Sequence, residues 1–464
     1  MSPSVYETAR LVALAPWLGG DAARIDFLMA AQEPDGSWGG TRGAYSWVPT
    51  LSAVDALLRA TDRGGPSATR AATAGLRYLT TSAPLGPLPD TVAAELLVPA
   101  LCESIEQRLN TPVPVPDVND PALHRRIAER ARTLGALPAK HLHSYEAIAP
   151  HCPPIQPPCG LNPGSLVGGS PAATAAWITA TGGPSRNPRL VQHLETATAE
   201  HNGGPVSCPT PITGFEYLWV HYIQETIGRL HAREQTAAEI ITLLTPEGVS
   251  GGPGLVPDAD DTSIAIYLLS QLGHPTNPQT LHSFETPTHY ACYPGESTSS
   301  PTANAHVLEA LGSSMPHDLP ARSKVSDWLA ARQHPDGSWT DKWHASPYYA
   351  VYCCAPALHK YGAGPAAQAA VHRATAWLHT TRRTDGSWGH WAATAEETAY
   401  AILTLTRCGA APPQNTAEVL ERLDTRERAT APPPLWHDKD LYCPVRVVRA
   451  AIDAAREVAR RPCG

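Results

Sequence analysis

One short segment, present in three copies, constrains the fold of this chain more than any other feature. Gln-x-x-Asp-Gly-Ser-Trp occurs at residues 32–38 and 333–339, and a third copy at 382–388 has Arg in place of the leading Gln. Each Trp is followed, about two dozen residues later, by the Gly that ends a helix-like stretch. A unit made of an Asp-Gly turn and a helix pair cannot bury its apolar faces alone and must stack on similar units. One copy predicts only a turn, whereas one copy near the amino end and two near the carboxyl end predict two helical barrels.

The apolar residues between these copies have the spacing of helices. In residues 261–272, Ile264, Tyr267 and Leu268 share one helical face, and Gly273 follows as a stop. Few segments alternate with the period of a strand. The 47 prolines cluster between the helical stretches, where they stiffen connections. The sequence therefore predicts an all-α protein.

Composition excludes several classes of protein. The net charge of the 464 residues is −8, and no basic cluster indicates a nucleic-acid partner. No apolar run approaches the roughly 18 residues that a membrane span needs. The amino end has no basic leader and is not typical of a signal peptide. The ten cysteines contain no Cys-x-x-Cys pair, so we expect reduced, mostly buried cysteines in a cytoplasmic protein.

Three aspartates, Asp258, Asp260 and Asp261, open the helical stretch at 261–272. One aspartate is sufficient to cap a helix, so three within four positions exceed that need. A calcium loop is not favoured, because the required Gly and distal Glu do not follow. Crowded carboxylates repel one another, so at least one should keep its proton at neutral pH. The spacing alone leaves two interpretations open, a helix cap and a general acid.

The acid cluster and the repeats together resemble the class II terpene cyclases, with agreement over roughly residues 25–455. Residues 164–176 resemble the family's SPAATA element, and residues 202–204 and 214–219 resemble its NGG and FE-x-x-W segments. The chain also resembles the bacterial diterpene cyclases of the copalyl-, halimadienyl- or drimenyl-diphosphate-synthase type. This resemblance lies at residues 292–296, 302–311, 341–349, 395–400 and 440–449.

This resemblance implies two α/α barrels in a βγ arrangement, with the active site between them. The β domain, with the acid cluster, would comprise residues 1–20 and 236–464, and the inserted γ domain residues 21–235. The implied activity is that of an isomerase of secondary metabolism: protonation-initiated cyclisation of geranylgeranyl diphosphate to a copalyl-like bicyclic diphosphate. The diphosphate would be retained, and the sequence agrees, since it contains no Asp-Asp-x-x-Asp.

The resemblance also implies roles for individual residues. Asp260 matches the family's proton donor, and Asp258 and Asp261 would orient its proton. His306 and Asn304 could hold the base or water that receives the last proton, or could be ordinary buried polar groups. Tryptophan and tyrosine rings attract a carbocation without reacting with it, and the candidates for this, each of which could equally be core, are Trp219, Tyr267, Trp343, Tyr348, Tyr349, Tyr400, Trp436 and Tyr442.

The diphosphate needs positive charge. Bacterial relatives carry an Asp/Glu-x-x-x-x-Glu element associated with Mg²⁺, which Asp90 and Glu95 match; a helix first turn is the other interpretation, and Glu195 and Glu200 have the same spacing. Arg446 and Arg449 are three residues apart and should share a helix face. The candidate cationic partners, any of which could be a surface residue, are Lys140, Lys342, Lys439, Arg446 and Arg449.

Three alternatives remain open from sequence. Farnesyl diphosphate could be the substrate and give a drimenyl-type diphosphate, since the sequence does not show the depth of the cavity. The chain could be a helical-repeat binding protein without catalysis, although three acids at a helix start argue against that. A zinc-dependent α/α-barrel prenyltransferase would need Asp, Cys and His ligands, and no such set stands out. A homodimer is compatible with all three alternatives.

Overall fold

The computed structural model describes residues 1–40, 42–83, 86–114, 116, 118, 120–152, 165–296 and 298–460. The chain divides into two compact units. Unit 1 consists of Met1–Ile212, Gly252–Val256 and His437–Tyr442, and unit 2 of Thr213–Gly251, Pro257–Trp436 and Cys443–Gly464.

Unit 1 is a closed ring of helices with further helices outside it. Helix α1 packs on α3, α3 on α5, α5 on α7, α7 on α8, and α8 returns to α1, while α2, α4, α6 and α9 each pack against members of this ring. The bounds are α1 Val5–Leu14, α2 Asp21–Ala30, α3 Trp47–Arg59, α4 Thr61–Thr81, α5 Ala94–Leu109, α6 Leu123–Leu134, α7 Tyr145–Ile148, α8 Pro171–Ala180 and α9 Pro188–Ala199.

Unit 2 repeats this plan with six inner helices. Helix α10 packs on α12, α12 on α13, α13 on α15, α15 on α17, α17 on α19, and α19 closes the ring on α10, while α11, α14, α16 and α18 pack against ring members. The bounds are α10 Thr213–Thr226, α11 Arg233–Leu243, α12 Ala259–Leu272, α13 Pro301–Ser314, α14 Leu319–Arg332, α15 Pro347–Tyr361, α16 Gly364–Thr380, α17 Ala395–Arg407, α18 Thr416–Thr430 and α19 Val445–Arg460. The prediction of two helical barrels is confirmed.

A single two-stranded sheet interrupts the helices of the described chain. Strands β1 (Trp436–His437) and β2 (Leu441–Tyr442) are adjacent in sequence and pair with each other. The Asp438 N–H donates to the Asp440 carbonyl at 3.0 Å and closes the turn between them.

The division into units differs from the predicted domain boundaries at four places, two of which are the short segments 252–256 and 437–442 that belong to unit 1. Residues 1–20 lie in unit 1, because α1 completes the ring of that unit by packing on α3 and α8. Residues 213–235 lie in unit 2, because α10 closes the ring between α12 and α19. The sequence does not show which ring a helix completes, since both rings offer an apolar face of the same kind.

The three repeats form the same turn with the same hydrogen bonds. In the first copy the Trp38 indole N–H donates to the Leu28 carbonyl at 2.7 Å, and the Asp35 carboxylate accepts the Ser37 N–H at 2.9 Å. The other two copies match, with indole bonds of 2.9 Å from Trp339 and 2.8 Å from Trp388. Each turn requires a glycine, since φ is 93°, 102° and 87° at Gly36, Gly337 and Gly386.

The leading residue of each repeat ties its turn to a later element. The Gln32 amide donates to the carbonyls of Gly36 at 3.0 Å and Ala71 at 2.9 Å, and Gln333 makes the equivalent pair of bonds. Arg382 replaces both bonds, donating to the carbonyls of Gly386 at 3.2 Å and Gln414 at 3.0 Å. The arginine in the third copy is therefore a functional substitute for the glutamine.

Helix lengths and composition bear on membrane insertion. The longest helix, α4, has 21 residues, but its backbone leaves the helical region at Gly65, where φ is 62°. Over the residues that the structure describes, none of the helices combines the length and the apolar character that crossing a membrane requires.

Candidate active site

The first turn of α12 carries three carboxyl groups. Asp258 is the N-cap, in an extended conformation, and its Oδ1 accepts the Asp261 N–H at 2.8 Å. Asp260 and Asp261 follow in the first turn, and the three residues are only 8%, 8% and 4% exposed. Because Asp258 satisfies the helix start, the carboxyl groups of Asp260 and Asp261 are not needed as caps.

Backbone and hydroxyl contacts hold this turn in place. The Asp258 N–H donates to the Val249 carbonyl at 3.0 Å, and the Ala259 N–H donates to the Cys292 carbonyl at 3.0 Å. The Val249 N–H donates in turn to the Thr262 hydroxyl at 2.8 Å. The acid cluster is thus anchored from two neighbouring segments before any substrate binds.

Burial without a cation changes the acidity of the cluster. Burial raises the pKa of Asp258, with the nearby Asp260 adding to the effect and hydrogen bonds from Asp261 opposing it, and the result is about 7. Burial and the adjacent Asp258 raise the pKa of the Asp261 carboxyl well above its usual value. Acids that share one buried site cannot all be ionised. The cluster therefore keeps protons near neutral pH.

His306 of α13 lies directly against the central acid. Its Nδ1 is 2.5 Å from Oδ1 of Asp260, and the residue is buried. Burial alone would lower the pKa of His306, but the Asp260 carboxylate outweighs burial and raises it. When the His306 ring carries a hydrogen on Nδ1, it donates that hydrogen to Asp260. The sequence predicted His306 as a final base or a water holder; the structure places it instead on the candidate proton donor.

Asn304 does not fit its predicted role. Its Oδ1 accepts the Tyr290 N–H at 2.9 Å, and its Nδ2 donates to the carbonyls of Tyr290 at 2.8 Å and Ser300 at 2.9 Å. These bonds fix the loop before α13 and leave Asn304 no N–H to orient a water. The backbone contacts of this amide favour the alternative that Asn304 is an ordinary buried polar group.

Aromatic rings in unit 2 form a continuous cluster that begins at His306. Trp219 meets the His306 ring edge-on at 5.7 Å, and its indole N–H donates to the Tyr349 hydroxyl at 2.8 Å. The Tyr349 ring lies 4.5 Å from Trp436 and 5.3 Å from Tyr400. Four of the predicted rings, Trp219, Tyr349, Tyr400 and Trp436, thus meet in this aromatic cluster.

The other predicted rings have different neighbours. Tyr267 meets the Tyr222 ring at 5.7 Å and donates to Glu225 at 2.6 Å. Tyr222 in turn meets His306 at 5.3 Å, so one ring lies between Tyr267 and His306. The remaining three lie apart, Trp343 against Tyr293, Tyr348 against Trp377, and Tyr442 in unit 1.

A buried carboxylate and a buried histidine complete the aromatic cluster, and sequence reasoning missed both. Oε1 of Glu396 accepts the Trp436 indole N–H at 2.8 Å and the Tyr400 hydroxyl at 3.2 Å. His344 Nε2 lies 3.2 Å from the same oxygen, and the His344 ring stacks on Tyr349 at 4.8 Å. The motif at 395–400 was visible in the sequence, but only its tyrosine was interpreted.

Asp90 and Glu95 flank the turn that opens α5. Both are exposed, and Glu95 lies in the first turn of the helix. The Asp90 charge adds to burial in raising the pKa of Tyr45 to about 12, so Asp90 lies near that ring. Two solvent-reachable carboxylates offer only oxygen donors, which fits Mg²⁺ that keeps water and phosphate in its shell. The rival pair, Glu195 on α9 and Glu200 at its end, is exposed as well.

The predicted cationic residues are not gathered into one group. Lys140 is exposed in unit 1, and Arg446 is exposed in unit 2. Lys342 forms an ion pair with Glu296. Arg446 and Arg449 lie in the first turns of α19, but Arg449 is paired with a carboxylate of α18, so the two have different partners.

Lys439 is completely buried and fully paired. Its Nζ donates to Glu7 at 2.7 Å, to Glu146 at 2.7 Å and to the Ser170 hydroxyl at 2.8 Å. These bonds use all three donors of the ammonium group. Lys439 therefore cross-links α1, α7 and the start of α8, and its predicted role as a diphosphate ligand is wrong. Sequence spacing could not reveal this, because Glu7 is 432 positions away.

Two groups of potential metal ligands occur in the described part of the chain, Glu103–His124–His151 and His143–Cys208–Asp438. The second has the Asp, Cys and His composition that a zinc prenyltransferase would need, and the sequence did not reveal it. His143 Nδ1 contacts the Gly168 carbonyl at 2.6 Å and its Nε2 contacts Asp438 at 3.0 Å. Both ring nitrogens already face protein oxygens, so a hydrogen-bonded ion pair accounts for this group.

Comparison with known proteins agrees with this geometry. The squalene-hopene cyclase C-terminal domain family matches residues 296–440. Labda-7,13-dienyl diphosphate synthase of Streptomyces clavuligerus is 43% identical, with 99% of this chain and 90% of that protein covered. Ent-copalyl diphosphate synthase of Streptomyces sp. (strain KO-3988) is 42% identical, with 97% and 91% covered. The structure of ent-copalyl diphosphate synthase from Streptomyces platensis is 40% identical, with a TM-score of 0.86 over 99% of this chain and 95% of that one.

A closed ring of helices whose inner helix opens with Asp-x-Asp-Asp, accompanied by Asp-Gly-Ser-Trp turns, defines a class II terpene cyclase. The degree and extent of identity go further: the chain belongs to the bacterial class II diterpene cyclases, the family of the copalyl and labdadienyl diphosphate synthases. It is therefore an enzyme of the cyclase type, and the interpretations as a repeat binding protein or a zinc prenyltransferase are not supported.

Proposed function

We propose that this enzyme protonates geranylgeranyl diphosphate and cyclises it to a bicyclic labdane-type diphosphate, of the copalyl or labdadienyl kind, with the diphosphate retained. The observation that carries the proposal is the contact of 2.5 Å between Asp260 and His306 inside a buried acid cluster that has no Lys or Arg partner among the described residues. Relatives named for labdadienyl and copalyl diphosphate support the product class.

Asp260 supplies the proton in this proposal. Its O–H bond breaks, a C–H bond forms at the terminal alkene, and the adjacent carbon becomes a tertiary carbocation. An alkene is a very weak base, so the acid must act in a dry, preorganised site. The Nδ1–H of His306 stabilises the Asp260 carboxylate left behind, while Asp258 and Asp261 keep protons and orient the donor.

The aromatic cluster then faces the developing positive charge. Indole and phenol rings attract a cation through their π faces and form no bond with it. Trp219 is the member of the aromatic cluster that contacts His306, and Tyr349, Tyr400 and Trp436 extend the surface beyond it. Ring closure and a final proton loss complete the reaction, and the inner alkenes supply the electron pairs.

Asp90 and Glu95 would hold Mg²⁺, and a bound ion would offset the negative charge of the diphosphate. Lys140, Lys342 and Arg446 are the cationic side chains that remain as candidates for the same group. Glu95→Gln should raise KM for the substrate and the Mg²⁺ concentration needed for half-maximal rate, because the carboxylate favours ion binding. Glu195→Gln, a substitution in the rival pair, serves as the control and should change neither. If Glu195→Gln raised both values and Glu95→Gln changed neither, the Mg²⁺ site would be assigned to Glu195 and Glu200 instead.

The substrate is tested directly by incubation with Mg²⁺ and either geranylgeranyl or farnesyl diphosphate. Phosphatase treatment then releases alcohols for mass spectrometry, which also distinguishes proton loss from water capture by mass. We expect a bicyclic C20 alcohol and little C15 product. Turnover of farnesyl diphosphate alone would replace the proposal with a drimenyl-type activity, and turnover of neither would refute it.

A further inference from the structure

We propose that Glu396 is a positioning residue of this cyclase: a fixed negative charge that stabilises the carbocation through Trp436 and Tyr400. The inference rests on the proposed function and concerns a side chain to which the acid-initiated mechanism above gives no task. Glu396 lies in the first turn of α17 and is 1% exposed.

The hydrogen-bond partners of Glu396 suit a carboxylate. The Ser346 N–H donates to His344 Nδ1 at 3.0 Å, so that nitrogen carries a lone pair and the ring proton of neutral His344 lies on Nε2. Nε2–H therefore donates to Glu396 at 3.2 Å. Together with the Trp436 N–H and the Tyr400 O–H, three donors converge on a single oxygen, Oε1. A carboxylate accepts such a set, whereas a protonated acid would need an acceptor for its own hydrogen.

The second oxygen of Glu396 has no hydrogen-bond partner among the described residues, although it is buried. Its neighbour Glu397 is equally buried, but both of its oxygens are bonded, to the Ser346 hydroxyl at 2.5 Å, the His390 N–H at 2.7 Å and the Thr394 hydroxyl at 2.7 Å. Glu397 therefore has an ordinary structural role. An ionised carboxylate with one free buried oxygen is unfavourable unless a positive charge compensates it.

No lysine or arginine of the described chain pairs with Glu396; its one ion-pair contact is with His344, which the Ser346 bond makes neutral. The proposed reaction supplies the missing charge transiently, as a carbocation. The donors to Glu396 belong to rings of the aromatic cluster, which runs through Tyr349 and Trp219 to His306.

Two physical effects then act in the same direction. Hydrogen bonding of a ring N–H or O–H to an anion increases the negative charge on that ring's face, which strengthens its attraction for a cation. The charge of Glu396 also acts directly, since a Coulomb interaction is weakly screened where water is excluded. Both effects require the negative charge of Glu396. The shape of the aromatic cluster, in contrast, does not depend on that charge.

The test separates charge from shape with two unreactive ligands. In 15-aza-14,15-dihydrogeranylgeranyl diphosphate a protonated amine stands where the carbocation forms, and 14,15-dihydrogeranylgeranyl diphosphate is neutral there and lacks the alkene that receives the proton. Calorimetry gives Kd for both with wild type and Glu396→Gln, whose amide oxygen can still accept from Trp436 and Tyr400. We expect the variant to lose about tenfold or more in affinity for the cationic ligand and less than about twofold for the neutral one.

Glu427→Gln is the matched control. Glu427 is buried, has one oxygen without a partner among the described residues, and bonds the Ala395 N–H at 2.9 Å, next to Glu396. Burial is the main cause that raises its pKa to about 7, so at pH 6 it is mostly neutral and the substitution removes little charge. The ratio of the Kd for the cationic ligand to the Kd for the neutral ligand should be the same in Glu427→Gln as in wild type.

An unchanged ratio in Glu396→Gln, or equal weakening of both ligands, would overturn the proposal and leave Glu396 a structural residue. If that variant does not fold, Trp436→Phe removes one donor and keeps a ring; it should lose part of the cationic preference, and a ratio equal to wild type would overturn the proposal. Failure of the proposed function has a different signature, namely wild type that does not consume geranylgeranyl diphosphate.

Discussion

Both units bury carboxylates at helix starts, but among the described residues only those of unit 1 share a buried lysine. In unit 1, Glu7 and Glu146 share the ammonium group of Lys439, and all three residues are inaccessible or nearly so. In unit 2, Asp258, Asp260 and Asp261 share no lysine or arginine among the described residues; their ionisable neighbour is the imidazole of His306. The first arrangement fixes charges in place, and the second keeps protons available.

The acidity of the two groups reflects this difference. Burial alone would lower the pKa of Lys439, but the charges of Glu146 and Glu7 outweigh it and raise that pKa, so the ammonium group stays protonated. In the acid cluster burial outweighs the hydrogen bonds that oppose it at Asp258, no lysine or arginine of the described chain offsets it, and the pKa values of Asp258 and Asp261 rise. The presence or absence of one buried lysine therefore separates a structural cluster from a chemical one.

The largest effect should come from Asp260→Asn, which removes the transferable proton and keeps the shape. We expect turnover of geranylgeranyl diphosphate to fall at least about 10³-fold, measured by product formation after phosphatase treatment. Circular dichroism and the melting temperature should stay close to wild type. Cyclisation at even a tenth of the wild-type rate by the purified variant would remove Asp260 from its proposed role.

Lys439→Met tests the other side of the comparison. It leaves Glu7 and Glu146 buried without their cation, so the free energy of unfolding should fall by about 3–5 kcal/mol, as measured by denaturant titration. Lys140→Met removes an exposed lysine and is the control, with an expected change below about 1 kcal/mol. Equal stability of the two variants would show that the buried cluster is not held together by charge.

Asp258→Asn sharpens the comparison through pH. The folded pKa of about 7 exceeds the unfolded value of about 4, so the folded protein binds this proton more tightly. The unfolding free energy contributed by Asp258 is thus present at low pH and is lost as pH rises toward and through 7. Asparagine caps the helix as well but cannot ionise.

Between pH 5.5 and pH 8, wild type should therefore lose roughly 2 kcal/mol more unfolding free energy than Asp258→Asn. Denaturant titrations of both proteins at the two pH values measure this difference. Equal losses would mean that the Asp258 carboxyl is not protonated in the folded protein.

Arg382→Gln lies outside both clusters and should have the smallest effect. The glutamines of the other two repeats bond the carbonyl of their own turn and one carbonyl of a later helix at 2.8–3.0 Å, so glutamine is a leading residue that the chain already uses twice. We expect the free energy of unfolding, measured by denaturant titration, to change by less than about 1 kcal/mol. A larger loss would show that the third turn needs the longer side chain.

Local patterns in the sequence predicted the features that depend on neighbouring residues. The repeats predicted two helical barrels, and the triple aspartate predicted an acid cluster that retains protons. Features formed by distant residues were not predictable. Lys439 meets Glu7 and Glu146 only in the folded chain, and His306 meets Asp260 across two inner helices. Nothing near residue 396 in the sequence indicates that three ring donors converge on one of its oxygens.

The closure of each Asp-Gly-Ser-Trp turn has a consequence for how such a chain can change length. The indole bonds a carbonyl ten residues earlier, and the leading side chain bonds a carbonyl about 30–40 residues later, in the third copy Gln414. A duplicated stretch of DNA brings every partner of that turn with it only if it also includes the end of the preceding helix and continues to the later carbonyl, from Leu378 to Gln414 in the third copy. A ring of helices can thus gain or lose complete segments of this kind. An insertion or deletion whose end falls between a turn and its helix separates hydrogen-bond partners instead. Genes of this kind are expected to grow by repetition of complete segments.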